Sequence, residues 1–479
     1  MSCHLSYSLA NDGDKINYLE TYMFKRILSL MIFVTLIFIT SCKTTEVTQS
    51  KKQEFTVDFA QKLQDVLQNG TIEEALALFE TMPEKYQNDY SMNLLHASLL
   101  VSARNLEKAT EIANKLDVID PENIDTLVVK SMIAKASGDK KAKSEILKQI
   151  IAKDPTNADA NVELANEQML RKNYKLANTY YGKSLQSDPN HEQALFGYGQ
   201  SAYYNDDLKT SKATFEKLVE VNPNNALGWA YLGKLAGEDE NYAVATKHIE
   251  KAISLDSNYY DFWVDYGQYL YYQGKFADAE KAWTKAISID DQNFYAYIYR
   301  AALYDENGRF AEALADYKKI VEVKPEYYYA YESIGMLAWH EKKYTEARNA
   351  FLQAYKYNKD NISYPMMVSA TYLKEKKETE NRKFLVNVLK NRDIKTATYS
   401  VIRLYYDGVN PSAVATRVKN EQNLNSRGKL LYYLALYHEI RGDDQNAKKY
   451  YNDIIKLQAP MFFEYRLAEW ALQDLEKGL

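Results

Sequence analysis

The side chains able to do covalent or metal chemistry are few in this chain, and they do not gather. Cys3 and Cys42 stand far apart, neither in a CxxC spacing nor near a histidine cluster. His4, His96, His191, His248, His340 and His438 are scattered along the chain. A zinc site needs ligands at short, repeated spacings, and a nucleophile needs a base held beside it. No GxSxG, P-loop, GxGxxG or HExxH segment occurs. Acidic pairs such as Asp206-Asp207 and Asp443-Asp444 fall in expected turns, where they favour the start of the next helix. The sequence therefore predicts no catalytic residue, no metal and no cofactor, and the chain is read as not an enzyme. What remains is recognition. There are 42 tyrosines, and a ring with a polar tip suits a wet protein interface.

The elements that carry these rings repeat. Pro121, Pro155, Pro189 and Pro223 are 34 residues apart, and the same count continues through Ser257 and Asp291 to Pro325. A small residue keeps this period at Ala97, Ser131, Ala165, Gly199, Gly233, Gly267, Ala301 and Gly335. A second small series runs Ala75, Ala109, Ala177, Ser211, Ala245, Ala279, Ala313 and Ala347, with Ala142 one residue early. A large residue recurs at Phe79, Tyr181, Phe215, Ile249, Trp283, Tyr317 and Phe351. Each unit reads as two helices joined by a short turn. Small residues let the helices cross closely, and the Asp-Pro step ends one unit and opens the next, with proline in the first helical turn. One pair cannot bury its apolar face alone, so units must stack.

"WAYLGKLA" from Trp229, with Ala245, Ile249, Ala252 and Ile253, resembles the tetratricopeptide repeat signature, and "WVDYGQYL" from Trp263 repeats it. The resemblance implies an all-α fold, a right-handed α-solenoid of stacked helix-turn-helix units. Nine 34-residue units are expected over 56–361, with Pro83 inside the second helix of the first. A degenerate helical stretch follows at 362–427, in which Asn410-Pro411 reads as a cap and first-turn proline. A further unit occupies 428–461, and a capping helix 462–479 has Phe463, Leu467, Trp470 and Ala471 on one face. The stretch from Tyr432 to Leu475 is also similar to the end of NlpI-type envelope lipoproteins, which implies an adaptor.

Trp229, Trp263, Tyr266, Leu270, Phe276, Trp283, Tyr181 and Tyr317 fall in core slots of the repeat. In this family the first helix of each unit lines the concave wall, through the second, fifth, ninth and twelfth residues. Unit 260–293 then offers Asp261, Val264, Gln268 and Tyr271. Its neighbours offer Asn166, Met169, Phe196, Gln200, Tyr203, Lys234, Tyr295, Ile298, Tyr329, Glu332, Met336 and Trp339. This wall is rich in tyrosine and amides and poor in charge, which fits a protein or peptide partner. With Asn166 nearly alone and Lys234 two units away, the carboxylate clamp of chaperone-binding relatives is absent. A net charge of −5 gives no electrostatic footprint for nucleic acid.

The chain's one long apolar run, Ile27 to Ile39, has thirteen residues, short of the roughly 20 that a membrane-spanning helix needs. Lys25 and Arg26 precede it and Thr40-Ser41-Cys42 follow. This resembles a bacterial lipoprotein signal peptide, with Ile39 where leucine is more usual. The resemblance implies lipidation of Cys42 and a membrane contact through that anchor only. Residues 1–22 are polar and acidic ahead of the basic flank, so Met23 is read as the start. Residues 23–41 are then the signal peptide and 42–55 the lipidated cysteine with a flexible tether. The expected place is the bacterial cell envelope, lipid-anchored, on the outer membrane at its periplasmic side or surface. The leading expectation is an envelope-anchored scaffold. A small-ligand or transport-associated lipoprotein and a structural part of an envelope assembly are the alternatives.

Overall fold

Every 34 residues the backbone reverses twice, and the residues at the two reversals explain the helices between them. The structure, a computed structural model, describes residues 58–67, 70–121, 123–390, 392–458 and 462–477. The expected signal peptide, Cys42 and tether lie outside these residues. At the first reversal one residue takes a left-handed conformation: Arg104, Gly138, Lys172, Asp206, Glu240, Gly274, Gly308, Lys342 and Lys376, each 34 after the last. A capping side chain follows in the earlier pairs. Asp139 accepts from the Ala142 N–H at 2.9 Å, and Asp207 from that of Thr210 at 3.1 Å, satisfying a first-turn donor.

At the second reversal an Asx turn does the work that proline was expected to do. Asp154, Asp188, Asn222, Asp256 and Asp290 each accept from the backbone N–H two residues on at 3.0 Å. Pro155 and Pro189 sit inside these turns. The next helices begin later, at Ala158 and Glu192, so proline stops one helix without opening the other. Pro83 likewise lies beyond its helix, which ends at Glu80, and leads into a 3₁₀ turn, Glu84–Tyr86.

The chain divides into two units, up to Asn224 and from Asn225 onward. The first holds helical residues 58–67 and Ile72–Glu80. The pairs Tyr90–Ser102 with Leu106–Ile119, Ile124–Ala136 with Lys140–Lys153, Ala158–Leu170 with Tyr174–Ser187, and Glu192–Tyr204 with Leu208–Val221 follow. The second runs through Ala226–Glu238 with Tyr242–Leu255, Tyr260–Tyr272 with Phe276–Ile289, Tyr295–Glu306 with Phe310–Val323, and Tyr328–His340 with Tyr344–Tyr357. Ser363–Lys374 with Glu378–Leu389, Ala397–Asp407 with Pro411–Lys419, and Leu424–Ile440 with Asp444–Ile455 complete it, before a C-terminal helix, Phe463–Lys477. No strand occurs among the described residues. Each unit is an α-solenoid of stacked helix pairs.

Both small-residue series are buried apart from Ala142, and in the first series Gly199, Gly267 and Gly335 each face the large residue sixteen places on. A Cβ added at Gly335 would stand 2.8 Å from the Phe351 ring, closer than carbon atoms pack. One at Gly267 would overlap the Trp283 indole. The glycine is therefore the socket, and the ring fills it. Trp283 is 1% exposed and its Nε1 donates to the Val264 carbonyl at 3.2 Å.

Of the expected core residues, Trp229, Trp263, Tyr266 and Tyr317 are only half-buried and Phe276 is exposed. Phe276 is 46% exposed; it opens its helix at the rim and packs on the Tyr271 ring, 5.3 Å away, rather than between helices. Trp263 is half-buried, with Nε1 donating to the Ser257 carbonyl at 2.8 Å. The register also runs past 361, where it was expected to fail. Lys376 keeps the left-handed turn. Ser369 and Asn381 occupy the two small slots and Leu385 the large one, all fully buried. Ser369 Oγ donates to Asn381 Oδ1 at 2.6 Å, and Asn381 Nδ2 to the Tyr405 carbonyl at 2.8 Å. A polar pair replaces the usual small one, which hid the unit from a search for alanine and glycine. Asn410 caps the later helix with Pro411 in its first turn, as expected.

Candidate partner-binding wall

The wall is the row of first helices, and its side chains divide into those left open and those already engaged. In the first unit Asn166 is exposed, and its Oδ1 accepts from Tyr181 Oη at 2.5 Å. Met169 packs partly onto the Val162–Ala165–Tyr181 cluster. Phe196 meets Phe215 edge-on at 5.9 Å. Gln200 and Tyr203 are half-buried, and Tyr203 lies edge-on to Tyr204, which stacks on Tyr174.

In the second unit Lys234 approaches Asp265 at 3.8 Å. Asp265 is 4% exposed, and burial pushes its carboxyl up to about 6, with Lys234 opposing. Gln268 is half-buried. Tyr271 donates to Glu306 at 2.6 Å, and that bond, with burial, pushes the phenol up to about 12. Tyr295 stacks on Phe294 at 4.6 Å. Ile298 is partly buried against Tyr297, Ile320 and Ala330. Tyr329 is 54% exposed, its ring 4.2 Å from that of Tyr328.

The remaining wall residues are not available as expected. Val264 is fully buried and Met336 is 7% exposed, because both turn into the seam between helices. Trp339 is half-buried against Tyr344. The Glu332 carboxylate accepts from Tyr364 Oη at 2.7 Å. Burial pushes it up to about 7, opposed by the Tyr364 bond and reinforced by the charge of Glu464.

Glu464 belongs to the C-terminal helix, and that helix occupies the wall here. Its Arg466 makes a two-pronged bond to Asp305, at 2.8 and 2.9 Å. Such a fork-to-carboxylate pair is among the stronger polar contacts. Trp470 stacks on His340 at 4.1 Å and meets Phe310 edge-on at 5.8 Å. Phe463 stacks on Phe351 and Tyr364. Leu467 and Ala468 are buried, and the other side of the helix packs against Leu424–Ile440 and Asp444–Ile455. The helix thus packs on the last helix pair and also folds back over Tyr328–His340.

Sequence reading missed Asp305, and Phe310 on the second helix beside it, as groups with a partner. Asp305 does hold the twelfth place of its unit. Arg466 and Trp470, four apart on one helix face, were the signal that an acid and a ring would be met elsewhere. Among the described residues no cluster of three or more His, Cys, Asp or Glu side chains is arranged to hold a metal ion, and no helix is long and apolar enough to cross a membrane.

An array of 34-residue helix pairs, closed by small-on-large seams, defines a helical repeat fold. Part of the chain is similar to the tetratricopeptide repeat. Models of that repeat match residues 193–225 and, in overlapping spans, 232–294, 264–322 and 300–361. No curated protein matches the chain. Among solved structures, MamA is 23% identical, covering 34% of this chain and 94% of that one at a TM-score of 0.32. YrrB, described as a TPR protein with an unusual peptide-binding site, is 21% identical over 41% and 97%, at 0.33. A tetratricopeptide repeat protein from Parabacteroides merdae is 19% identical over 52% and 98%, at 0.40.

Proposed function

We propose that this protein is an envelope-anchored lipoprotein scaffold. It holds a partner protein on the first-helix wall through a helical segment carrying a basic and an aromatic residue about four places apart. One observation carries the reading: the wall already seats such a segment, the chain's own Phe463–Lys477, through Arg466 on Asp305 and Trp470 on His340. The adjoining stretch offers the same kinds of group. Tyr271 and Glu306 hold the places one repeat before Asp305 and His340, and Tyr295 and Tyr329 continue the surface. Aromatic anchors and arginine pairs dominate interface energetics. The likeness of Tyr432 to Leu475 to NlpI-type adaptors points the same way.

Anchoring rests on the apolar run before Cys42. It is checked by metabolic labelling with a fatty acid, which Cys42→Ser abolishes if the cysteine carries the lipid. Binding is checked by photo-crosslinking in cells from a benzoylphenylalanine placed at Tyr271, Tyr295 or Tyr329, with Lys285 on a second helix as control. One common partner from all three wall positions, whose purified form binds the purified scaffold and loses that binding on Tyr271→Ala with Tyr295→Ala, supports the wall. Equal capture from Lys285, or none from the wall, rejects it.

A further inference from the structure

The C-terminal helix sits on the wall with an acid on each side of the seam, Glu464 buried and Glu332 half-buried. Glu464, on that helix, is fully buried, and Glu332 faces it from the wall. Each carboxylate receives one phenol hydrogen: Tyr433 Oη donates to Glu464 Oε1 at 2.8 Å, and Tyr364 Oη to Glu332 Oε2 at 2.7 Å. Oε2 of Glu464 has no hydrogen-bond partner, and Ser363 Oγ lies close to it without the geometry of a bond. Lys429 is the cation that faces both acids. Tyr328 and Tyr329 on the wall helix and Tyr432 on the neighbouring helix complete the ionisable groups around them. At the far end of the seam His340 lies under Trp470, facing Asp474 and Arg466 of the C-terminal helix beside Glu341 and Lys342.

An ionised carboxylate in a dry seam needs several donors, and two of them repel. One proton relieves both problems, because a protonated acid can donate as well as accept. We propose that the C-terminal helix is a proton-retained occupant of the repeat wall: it stays seated while the Glu332–Glu464 pair holds a proton, and lifts as that proton is lost, uncovering Asp305, Glu332 and His340. That the uncovered wall then receives a partner helix rests on the function proposed above; the proton dependence does not.

The sign follows from linkage. Burial raises both acids, Glu332 to about 7, so the seated state binds more protons than the lifted one. Seating is strongest below the ordinary glutamate value and is lost as pH rises through about 7. His340 works the other way: burial lowers it, so its protonation at acid pH opposes seating. His340→Phe removes that opposition and keeps a ring for Trp470.

Hydrogen exchange of residues 463–477 in the full His340→Phe chain, corrected for intrinsic rates, reads seating without any partner. The expected result is an opening equilibrium that rises about fiftyfold from pH 5 to pH 8. Glu332→Gln, which keeps an acceptor for Tyr364, and Glu464→Gln should each make the profile shallower, because burial still raises the acid that remains; the double variant should flatten it and retain protection at pH 8. Protection that ignores pH, or a slope that survives undiminished in the double Glu332→Gln, Glu464→Gln chain, overturns the proposal. A pH-dependent helix together with a wall that captures nothing leaves this inference standing and rejects the partner reading alone.

Discussion

Tyr271 and Asp305 hold the same slot one repeat apart, yet they lie on differently used stretches of wall. Tyr271 donates to Glu306 of the next helix and remains half-exposed. Asp305 is paired by Arg466 from far along the chain and lies under a helix. The backbone is the same at both places. The difference is the side chain: a phenol satisfied by its neighbour leaves the surface open, whereas a nearly buried carboxylate needs a cation brought to it. A periodic scaffold thus assigns open and covered stretches by single substitutions on an unchanged frame.

The comparison breaks most severely when the floor of the open stretch is removed. Trp283→Ala empties the socket beside Gly267 and should cost about 3–5 kcal/mol in chemical denaturation; Trp263→Ala, half-exposed on the same helix pair, should cost about 1–2 kcal/mol. Trp470→Ala tests the covered stretch. It should cost about 2–3 kcal/mol and leave 463–477 cleaved early in limited proteolysis, while 260–289 stays protected. Next comes acidity. Asp265, behind the open stretch, has its carboxyl raised to about 6 by burial. Its uncharged form favours the fold, so stability is full at low pH and falls as pH rises through about 6. Asp265→Asn should remove that fall, worth about 1–2 kcal/mol at pH 8, in melting curves taken from pH 5 to 8. The smallest change is Tyr271→Phe. It deletes the bond to Glu306 and should cost about 0.5–1 kcal/mol, with residues 463–477 exchanging as before. A change in that exchange would show that the two stretches are coupled.

The repeat was legible because its cause is local. A small residue and a large one sixteen places apart pack against each other in unit after unit, so composition at fixed spacing reports the seam directly. The left-handed turn was only partly legible: glycine marks it at Gly138, Gly274 and Gly308, but Arg104, Lys172, Asp206, Glu240, Lys342 and Lys376 adopt it without glycine. The unit containing Ser369 and Asn381 escaped because hydrogen bonding does there what small size does elsewhere. The occupied wall was not legible at all. Arg466 and Asp305 are 161 residues apart, and no period links them. Slot counting therefore named Met336 and Glu332 as surface, and could not tell that the wall slot of Asp305 meets a partner.

The Ser369–Asn381 pair bears on how such a chain avoids misassembly. Near-identical modules invite mispairing, since one ring-in-socket seam resembles the next and a module can dock one place out of step. A serine, an asparagine and the carbonyl of Tyr405 form a key that fits one lock. Any shifted arrangement would bury the amide with nothing to bond, a penalty of about 1–3 kcal/mol. The least typical module is thus the one that tells the others where to stop.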